Sequence, residues 1–133
     1  KAVGERKRRK VYPELFKINR EEEKKESTIE IIQDCVRKNL SSPDLNRQMI
    51  AEFVHMNPDY ISAIFSKKTG ESLTGFILKE RLKAAKVMLS TTDYSLQEIS
   101  YRTGFSSPSY FQRQFKKSVG ITPKKYRMDE KKK

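Results

Sequence analysis

The chain has 133 residues, and 29 Lys and Arg against 17 Asp and Glu give it a formal net charge of +12; this size suits one domain with a tail or two small subdomains that share a helix. A single cysteine rules out an internal disulfide and, with a single histidine, leaves no metal-binding cluster. No apolar run approaches the roughly 18 residues of a membrane-spanning helix, so we expect a cytoplasmic protein with no cofactor and no membrane partner.

The first 26 residues are rich in charge and lack regular apolar spacing. Their charged runs, residues 6–10 and 21–25, are typical of a solvated linker or a frayed helix. The sequence begins at Lys1 rather than at a methionine. We therefore expect a piece of a longer protein, with a missing N-terminal regulatory or dimerisation domain, and residues 1–26 are predicted to be a charged N-terminal extension.

Capping residues mark the helix starts from residue 27 onward. Residues 27–30 (STIE) form a capping box, Asn46 is a good N-cap for a short helix, and Asn57 precedes Pro58 at a first helical position. The helix after Pro58 is predicted to end near Gly70. The apolar residues expected to pack from these helices include Ile29, Ile32, Val36, Met49, Ile50 and Phe53.

The second half of the chain repeats these helix-start signals. Ser72 can cap a long helix that ends near Ser90, and residues 95–98 (SLQE) form a second capping box. Ser107-Pro108 repeats the cap-proline pair, and Thr122-Pro123 is predicted to open a last short turn. The long helix offers Leu73, Phe76, Ile77, Ala84, Val87 and Met88 for packing.

Two segments of the chain are near copies of each other. Residues 57–61 recur as residues 107–111 at an offset of 50, and Ile50-Ala51 recurs as Ile99-Ser100 at an offset of 49. The additional residue is predicted to lie in the turn around residues 103–105. Helical spacing recurs throughout, and no segment alternates like a strand. The sequence therefore predicts an all-α fold of about seven helices.

The predicted domain organisation follows from this repeat. The units are a first helix-turn-helix subdomain over residues 27–71, a linker helix over 72–91, a second helix-turn-helix subdomain over 92–128 and a basic tail over 129–133. In a helix-turn-helix, the second helix enters the major groove of DNA and its early residues meet base edges. Both copies therefore point to a nucleic-acid partner.

The distribution of charge supports that prediction. Residues 101–133 hold ten Lys and Arg against two acidic residues, whereas residues 27–100 hold nine of each sign. A localised excess of positive charge favours a polyanion, because each neutralised phosphate releases counterions. Double-stranded DNA is the expected partner.

The most specific pattern in the chain lies in the second copy. It comprises residues 99–111 (ISYRTGFSSPSYF), 115–117 (FKK), Gly120, Thr122-Pro123 and Tyr126-Arg127, and Arg81, Ala85 and Leu89 precede it at helical spacing. In these residues the chain resembles the AraC/XylS family of transcription regulators, over about residues 27–127. The resemblance implies that two recognition helices enter successive major-groove segments on one DNA face. It also implies bacterial gene regulation, with RNA polymerase as an eventual partner; residues 57–60 resemble members that carry a response-regulator receiver domain.

The second recognition helix holds the strongest candidates for base readout. Ser109, Gln112 and Arg113 are predicted to project outward, while the aromatic residues of that helix pack inward. Arginine can bond bidentately to guanine and glutamine to adenine, with about 1–3 kcal/mol of discrimination each. The alternative for Arg113 is a contact with phosphate or solvent alone.

In the first recognition helix, the resemblance implies that Asp59, Ser62 and Ala63 face the groove. Many family members carry arginine where Ala63 stands, and this departure weakens direct readout there, although Ala63 could touch a thymine methyl. Asp59 either stabilises the helix N-terminus or accepts a hydrogen bond from a cytosine amino group. We therefore hypothesise that the second motif supplies most of the affinity.

Phosphate contacts are expected at the ends of both recognition helices. The lysines there either meet the DNA backbone or simply favour a helix C-terminus, and the arginine before the second turn either does likewise or pairs with an acidic neighbour. The phosphate candidates are Asn57, Lys67, Lys68, Arg102, Ser107, Lys116 and Lys117.

No catalytic residue is expected. Cys35, interpreted as half-buried packing, and His55, interpreted as a structural residue of the first turn, form no nucleophile–base pair. A methyl-accepting repair protein can carry a similar domain, and a protein-interaction or RNA-binding helical module could use the same basic face; both alternatives stay open. Tyr101 and Phe105 are interpreted as packing that locks the second turn rather than as stacking platforms.

Overall fold

Seven helices follow one another over residues 13–133, the part of the chain that this computed structural model describes, and that part contains no strand. Side chains are described from residue 20 onward, and residues 1–12, with the predicted linker run 6–10, lie outside the described residues. The all-α class is confirmed. The helices are α1 (Pro13–Lys38), α2 (Arg47–Val54), α3 (Pro58–Thr69), α4 (Leu73–Thr91), α5 (Leu96–Arg102), α6 (Pro108–Val119) and α7 (Pro123–Lys131).

Most helix starts lie where the caps predicted them. The side-chain oxygens of Asn46, Ser72 and Ser95 accept hydrogen bonds from first-turn N–H groups of α2, α4 and α5 at 2.9–3.0 Å. Each cap satisfies a donor that the helix itself leaves without a partner. Thr122 likewise caps α7. The predicted last short turn is in fact a nine-residue helix.

The first helix corrects the prediction at the N-terminal end. The capping box at residues 27–30 begins no helix, because α1 runs without a break for 26 residues from Pro13 to Lys38. Thr28 is buried, and its hydroxyl donates to the Lys24 carbonyl at 2.8 Å instead of capping. Of the two alternatives expected for this segment, a linker or a frayed helix, residues 13–26 are helical. An ion pair between Glu22 and Lys68 of α3 supplies a tertiary contact that a local pattern does not reveal.

Two hydrophobic cores share α4. Leu73, Phe76 and Ile77, in the first half of α4, are buried with the apolar faces of α1, α2 and α3. Leu82, Ala85 and Leu89, in the second half, are buried with α5, α6 and the second turn. The linker helix is therefore a structural part of both subdomains.

The repeat extends beyond the helix-turn-helix. Ile29, Ile32 and Val36 of α1 are buried at the same spacing as Leu82, Ala85 and Leu89 of α4, 53 residues further on. Each recognition unit is thus a bundle of three helices, α1–α3 and α4–α6. The residue types differ too much between α1 and α4 for sequence inspection to align them.

Helix α7 closes the second core. The Tyr126 ring meets the Phe115 ring edge-on, with centroids 5.5 Å apart. Arg127 donates to the Leu89 carbonyl at 3.1 Å and to the Thr92 carbonyl at 3.3 Å, at the C-terminal end of α4. These contacts explain the Tyr126-Arg127 pair in physical terms, because a guanidinium there satisfies carbonyls that a helix end leaves open.

Three side chains predicted to pack are exposed: Phe53 (56%), Val87 (57%) and Tyr101 (77%). Each lies two residues from a buried residue of its own helix, namely Ala51, Ala85 or Ile99. Two residues correspond to about 200° around an α-helix, so these side chains point away from the core. Phe105, by contrast, is buried, and its ring centroid lies 5.1 Å from that of Phe111, so it locks the second turn as predicted.

The two turns share a left-handed residue at equivalent positions. His55 has φ 57° and Gly104 has φ 80°. The following amides bond back alike: Met56 donates to Ala51 at 3.0 Å and Phe105 to Ser100 at 3.1 Å. This alignment keeps the offset of 49 through Phe105, so the additional residue of the second copy is Ser106, just after the predicted turn.

We predict that substitutions of the left-handed residues in the two turns differ in their effect on the free energy of unfolding. His55 is exposed, so His55→Gly should change the free energy of unfolding by less than about 1 kcal/mol, because relief of the left-handed strain is offset by unfolded-state entropy. A Cβ at Gly104 would overlap the Leu40 carbonyl oxygen. Gly104→Ala should therefore destabilise by more than about 2 kcal/mol. Urea unfolding measures both, and equal effects would contradict the assignment.

Within residues 13–133, no helix has the length and apolarity needed to cross a membrane.

Candidate nucleic-acid interface

The second recognition helix, α6, is strongly two-sided. Phe111 and Phe115 are fully buried, with ring centroids 5.8 Å apart. Ser109, Gln112 and Arg113 lie on the exposed side, as predicted. The aromatic anchors fix the rotation of the helix about its axis, and so they determine which side chains face outward.

An open depression of about 430 Å³ runs along this exposed face of α6. Its lining brings together two of the three predicted base-reading residues of α6 and two of the predicted phosphate contacts, and three of its five residues are cationic. Thr122, the cap of α7, also lines it and was not among the predicted site residues. The lining residues are Gln112, Arg113, Lys116, Lys117 and Thr122.

Among the residues whose side chains the structure describes, the lysines of α6 have no acidic partner. No ion pair among residues 20–133 includes Lys116 or Lys117. Asp129 and Glu130, the acidic residues after residue 101, pair with Lys125 and with Lys133. Positive charge on the face of α6 is therefore available to an external anion.

The N-caps of both recognition helices use their acceptor oxygens. Asn57 accepts from the amides of Asp59 and Tyr60 at 2.8 and 3.1 Å, and Ser107 accepts from the Tyr110 amide at 3.1 Å. The amide nitrogen of Asn57 and the hydroxyl proton of Ser107 are donors that these caps do not use. Both residues can still donate to a phosphate oxygen.

In the first recognition helix, α3, some of the charged side chains are neutralised by ion pairs with other parts of the chain. Asp59 and Ala63 are exposed and Ser62 is half-buried. The Asp59 carboxylate accepts from Arg47 at 2.9 Å, at the start of α2. Arg47 was missed in the sequence, because the two residues come together only through the turn. Asp59 is thus an ion-pair partner as well as a first-turn acid.

The C-terminal end of α3 meets α1. Lys68 donates to the Glu22 carboxylate, and this hydrogen bond holds the pKa of Glu22 below its ordinary value, with Lys25 and Lys67 adding to the positive field. Lys67 itself is exposed. Of the two lysines predicted to meet phosphate here, one already has an anionic partner within the chain.

Arg102 also has partners within the chain. Its Nε donates to Glu98 at 2.7 Å, and its guanidinium stacks on the Tyr94 ring at 4.3 Å from the centroid. The predicted pairing with an acidic neighbour is therefore present, while the phosphate contact of Arg102 stays a prediction.

Cys35 and His55 belong to α1 and to the end of α2, not to the helix that carries this face. Cys35 is half-buried in the first core, and burial raises the pKa of its thiol. His55 is the left-handed residue that ends α2. The described residues contain no group of three or more His, Cys, Asp or Glu that could hold a metal ion.

Comparisons with known proteins agree with this architecture. Residues 50–129 match the family model described as "Helix-turn-helix domain". The uncharacterized transcriptional regulatory protein YesN of Bacillus subtilis (strain 168) is 37% identical over 91 residues, which are 66% of this chain and 25% of that protein. The chain spans about a quarter of the length of the curated relatives that it matches first.

Solved structures share the fold. The C-terminal domain of AraT, a response regulator from Geobacillus stearothermophilus, superposes with a TM-score of 0.74 at 29% identity, covering 77% of this chain and 84% of that one. The DNA-binding domain of AdpA, a global transcriptional factor solved in complex with a target DNA, has a TM-score of 0.71 at 24% identity and covers 76% of this chain and 90% of its own. With two helix-turn-helix units, a shared linker helix and a family match over residues 50–129, the chain belongs to the AraC/XylS family of helix-turn-helix proteins.

Proposed function

We propose that this chain binds double-stranded DNA sequence-specifically, as the DNA-binding module of a transcription regulator. In this proposal α3 and α6 enter successive major-groove segments on one face of the duplex. The observation that carries it is the face of α6, where Gln112, Arg113, Lys116 and Lys117 are exposed side by side while two buried phenylalanines hold the opposite face.

The residues of α6 have distinct proposed roles. Arg113 donates bidentately to a guanine, Gln112 pairs with an adenine, and Ser109 contacts a neighbouring base edge. Lys116 and Lys117 contact phosphates, which fix the register without reading sequence. Ser107 donates to a phosphate at the N-terminus of α6, where the helix dipole also favours negative charge.

In α3, Ser62 and Ala63 make weaker base contacts and Lys67 meets a phosphate. Two of the charged groups of α3 are already engaged within the chain, Asp59 by Arg47 and Lys68 by Glu22. Breaking such a pair reduces the net gain from any contact with DNA. This asymmetry supports the second motif as the source of most of the affinity.

A paired substitution tests the asymmetry. Arg113→Ala should weaken binding to one selected operator by about tenfold or more, because a bidentate contact is worth about 1–3 kcal/mol. Ser62→Ala should cost less than about threefold, since a hydroxyl makes a single hydrogen bond. Lys38→Ala, at the exposed end of α1, controls for the loss of one positive charge. A larger loss from Ser62→Ala in a fluorescence-anisotropy titration would refute the ranking.

Selection from a random duplex pool tests the function itself. The expected product is an asymmetric site of about two helical turns. Removing Lys116 should reduce the slope of log K against log salt by about one, because one phosphate contact is lost. Stronger binding to structured RNA, or no sequence enrichment, would favour the RNA-binding or protein-interaction module instead.

The reactivity of the Cys35 thiol tests the alternative that the chain is a methyl-accepting repair protein. Because burial raises the pKa of its thiol, less of the reactive thiolate is present near neutral pH. Alkylation by iodoacetamide at pH 7.5 should be about tenfold slower than for glutathione, and becomes faster on unfolding. A rate in the folded protein equal to that of glutathione, or transfer of a methyl group from alkylated DNA, would contradict a structural role.

The partners of the whole protein extend this proposal. Because the match covers only 25–28% of the first curated relatives, an N-terminal regulatory or dimerisation domain, such as a receiver, would control occupancy of the DNA. RNA polymerase is the proposed downstream partner. Neither role requires a residue of the interface described above.

A further inference from the structure

The junction between the two cores falls within one turn of α4. Ile77 is the last buried residue of α4 in the first core, and Leu82 is the first buried residue of α4 in the second core. Between them stand three charged residues. Lys79 is exposed and pairs with Glu71 at 2.8 Å, while Glu80 is buried and Arg81 is half-buried. A charged side chain that is buried between two apolar cores needs a hydrogen-bonding partner, because burying an unpaired charge is energetically costly.

Arg81 reaches into the first unit. Its Nη2 donates to the Ser42 carbonyl at 2.7 Å, in the loop between α1 and α2. The side chain is half-buried, and desolvation lowers the pKa of its guanidinium. The equivalent residue of the first unit, 53 positions earlier, is Thr28, whose hydroxyl bonds only to its own helix. The arginine is thus a feature of the junction rather than of the repeat.

The turn of the second motif presses against the same place. A Cβ on Gly104 would overlap the Leu40 carbonyl oxygen and would lie 3.1 Å from two nitrogens of Arg81. The guanidinium therefore lies where the α1–α2 loop meets the second turn. It touches both units while it belongs to the helix that joins them.

Glu80 anchors α4 to α1 on a neighbouring side. It is 7% exposed, and its carboxylate accepts from Arg37 Nε at 3.0 Å. The Arg37 guanidinium also lies over the Phe76 ring, 5.7 Å from its centroid. Adjacent residues of α4 thus bind two separate parts of the first unit, and adjacent side chains of a helix diverge by about 100°.

We propose that Arg81 is a positioning residue that fixes the orientation of α6 relative to α3, and thereby the spacing of the two DNA segments that the protein accepts. The spacing part rests on the proposed function. Loss of Arg81 leaves both apolar cores intact and releases the directional contact between the units, so their relative orientation should broaden.

Spin labels test the orientation without DNA. With Cys35→Ala as background, Ser66→Cys in α3 and Ser118→Cys in α6 place labels on exposed positions of the two units. The distance distribution should be narrow in the parent and at least about twofold wider in Arg81→Met, since small interdomain contacts otherwise permit motion. Lys83→Met, exposed and two residues away, is the matched control and should leave the width unchanged. Equal widths in Arg81→Met and the parent would overturn the proposal.

Duplexes of altered spacing test the consequence. Inserting one base pair between the two segments of a selected site rotates them by about 34–36° and should weaken the parent at least about tenfold. Arg81→Met should weaken binding at the selected spacing about tenfold and reduce the insertion penalty to below about threefold. If the parent protein selects no duplex, the proposed function is wrong, but the spin-label distances still test whether Arg81 fixes the orientation of the two units. If both proteins show the same penalty, the role of Arg81 fails and DNA binding stands.

Folding is checked by circular dichroism. Should Arg81→Met lose its helical signal, Arg81→Gln, too short to span to the Ser42 carbonyl, carries the same expectations. Loss of folding in both variants would mean that Arg81 supports the fold as a whole, and would overturn a positioning role.

Discussion

The structure depends on one helix that belongs to two cores. α4 gives its first half to the first unit and its second half to the second unit, so neither unit can bury its apolar face without it. With 19 residues at about 1.5 Å each, α4 spans about 28 Å. A continuous helix of this length holds the two units at a defined separation, which the proposed docking into successive major-groove segments requires. Two motifs joined by a flexible linker would have no fixed orientation relative to each other before they bind DNA.

The two units have the same skeleton and different surfaces. Buried positions recur at offsets of 49, 50 and 53, and both turns contain a left-handed residue and the same backbone hydrogen bond. On the surface, Asp59 and Lys68 of α3 form ion pairs within the chain, whereas no ion pair within residues 20–133 includes Lys116 or Lys117 of α6. Packing constrains only the buried positions, so charge is free to differ between copies. A repeated fold need not bind equally at both sites.

The parts of the structure that could be predicted are those that short-range interactions determine. N-caps such as Asn46 and Ser95 bond to amides three residues away, and the outward face of α6 follows from the spacing of Phe111 and Phe115. The errors and omissions have long-range causes. Arg47 pairs with Asp59 across 12 residues, Glu80 with Arg37 across 43, and Lys68 with Glu22 across 46. The last of these holds a segment for which composition alone left a linker and a frayed helix as alternatives.

The charged pair at the centre of α4 stands where apolar residues would bury more surface. Apolar contact is non-directional, so two cores joined only by leucine and alanine could slide or rotate relative to each other at little cost. Hydrogen bonds weaken steeply when distance or angle departs from the optimum. Glu80 and Arg81 place such bonds at the junction, one to a side chain of α1 and one to a loop carbonyl. The two cores thus provide the stability of this fold, and Arg81 between them, in the role proposed for it, fixes the orientation on which simultaneous contact with two segments of DNA would depend.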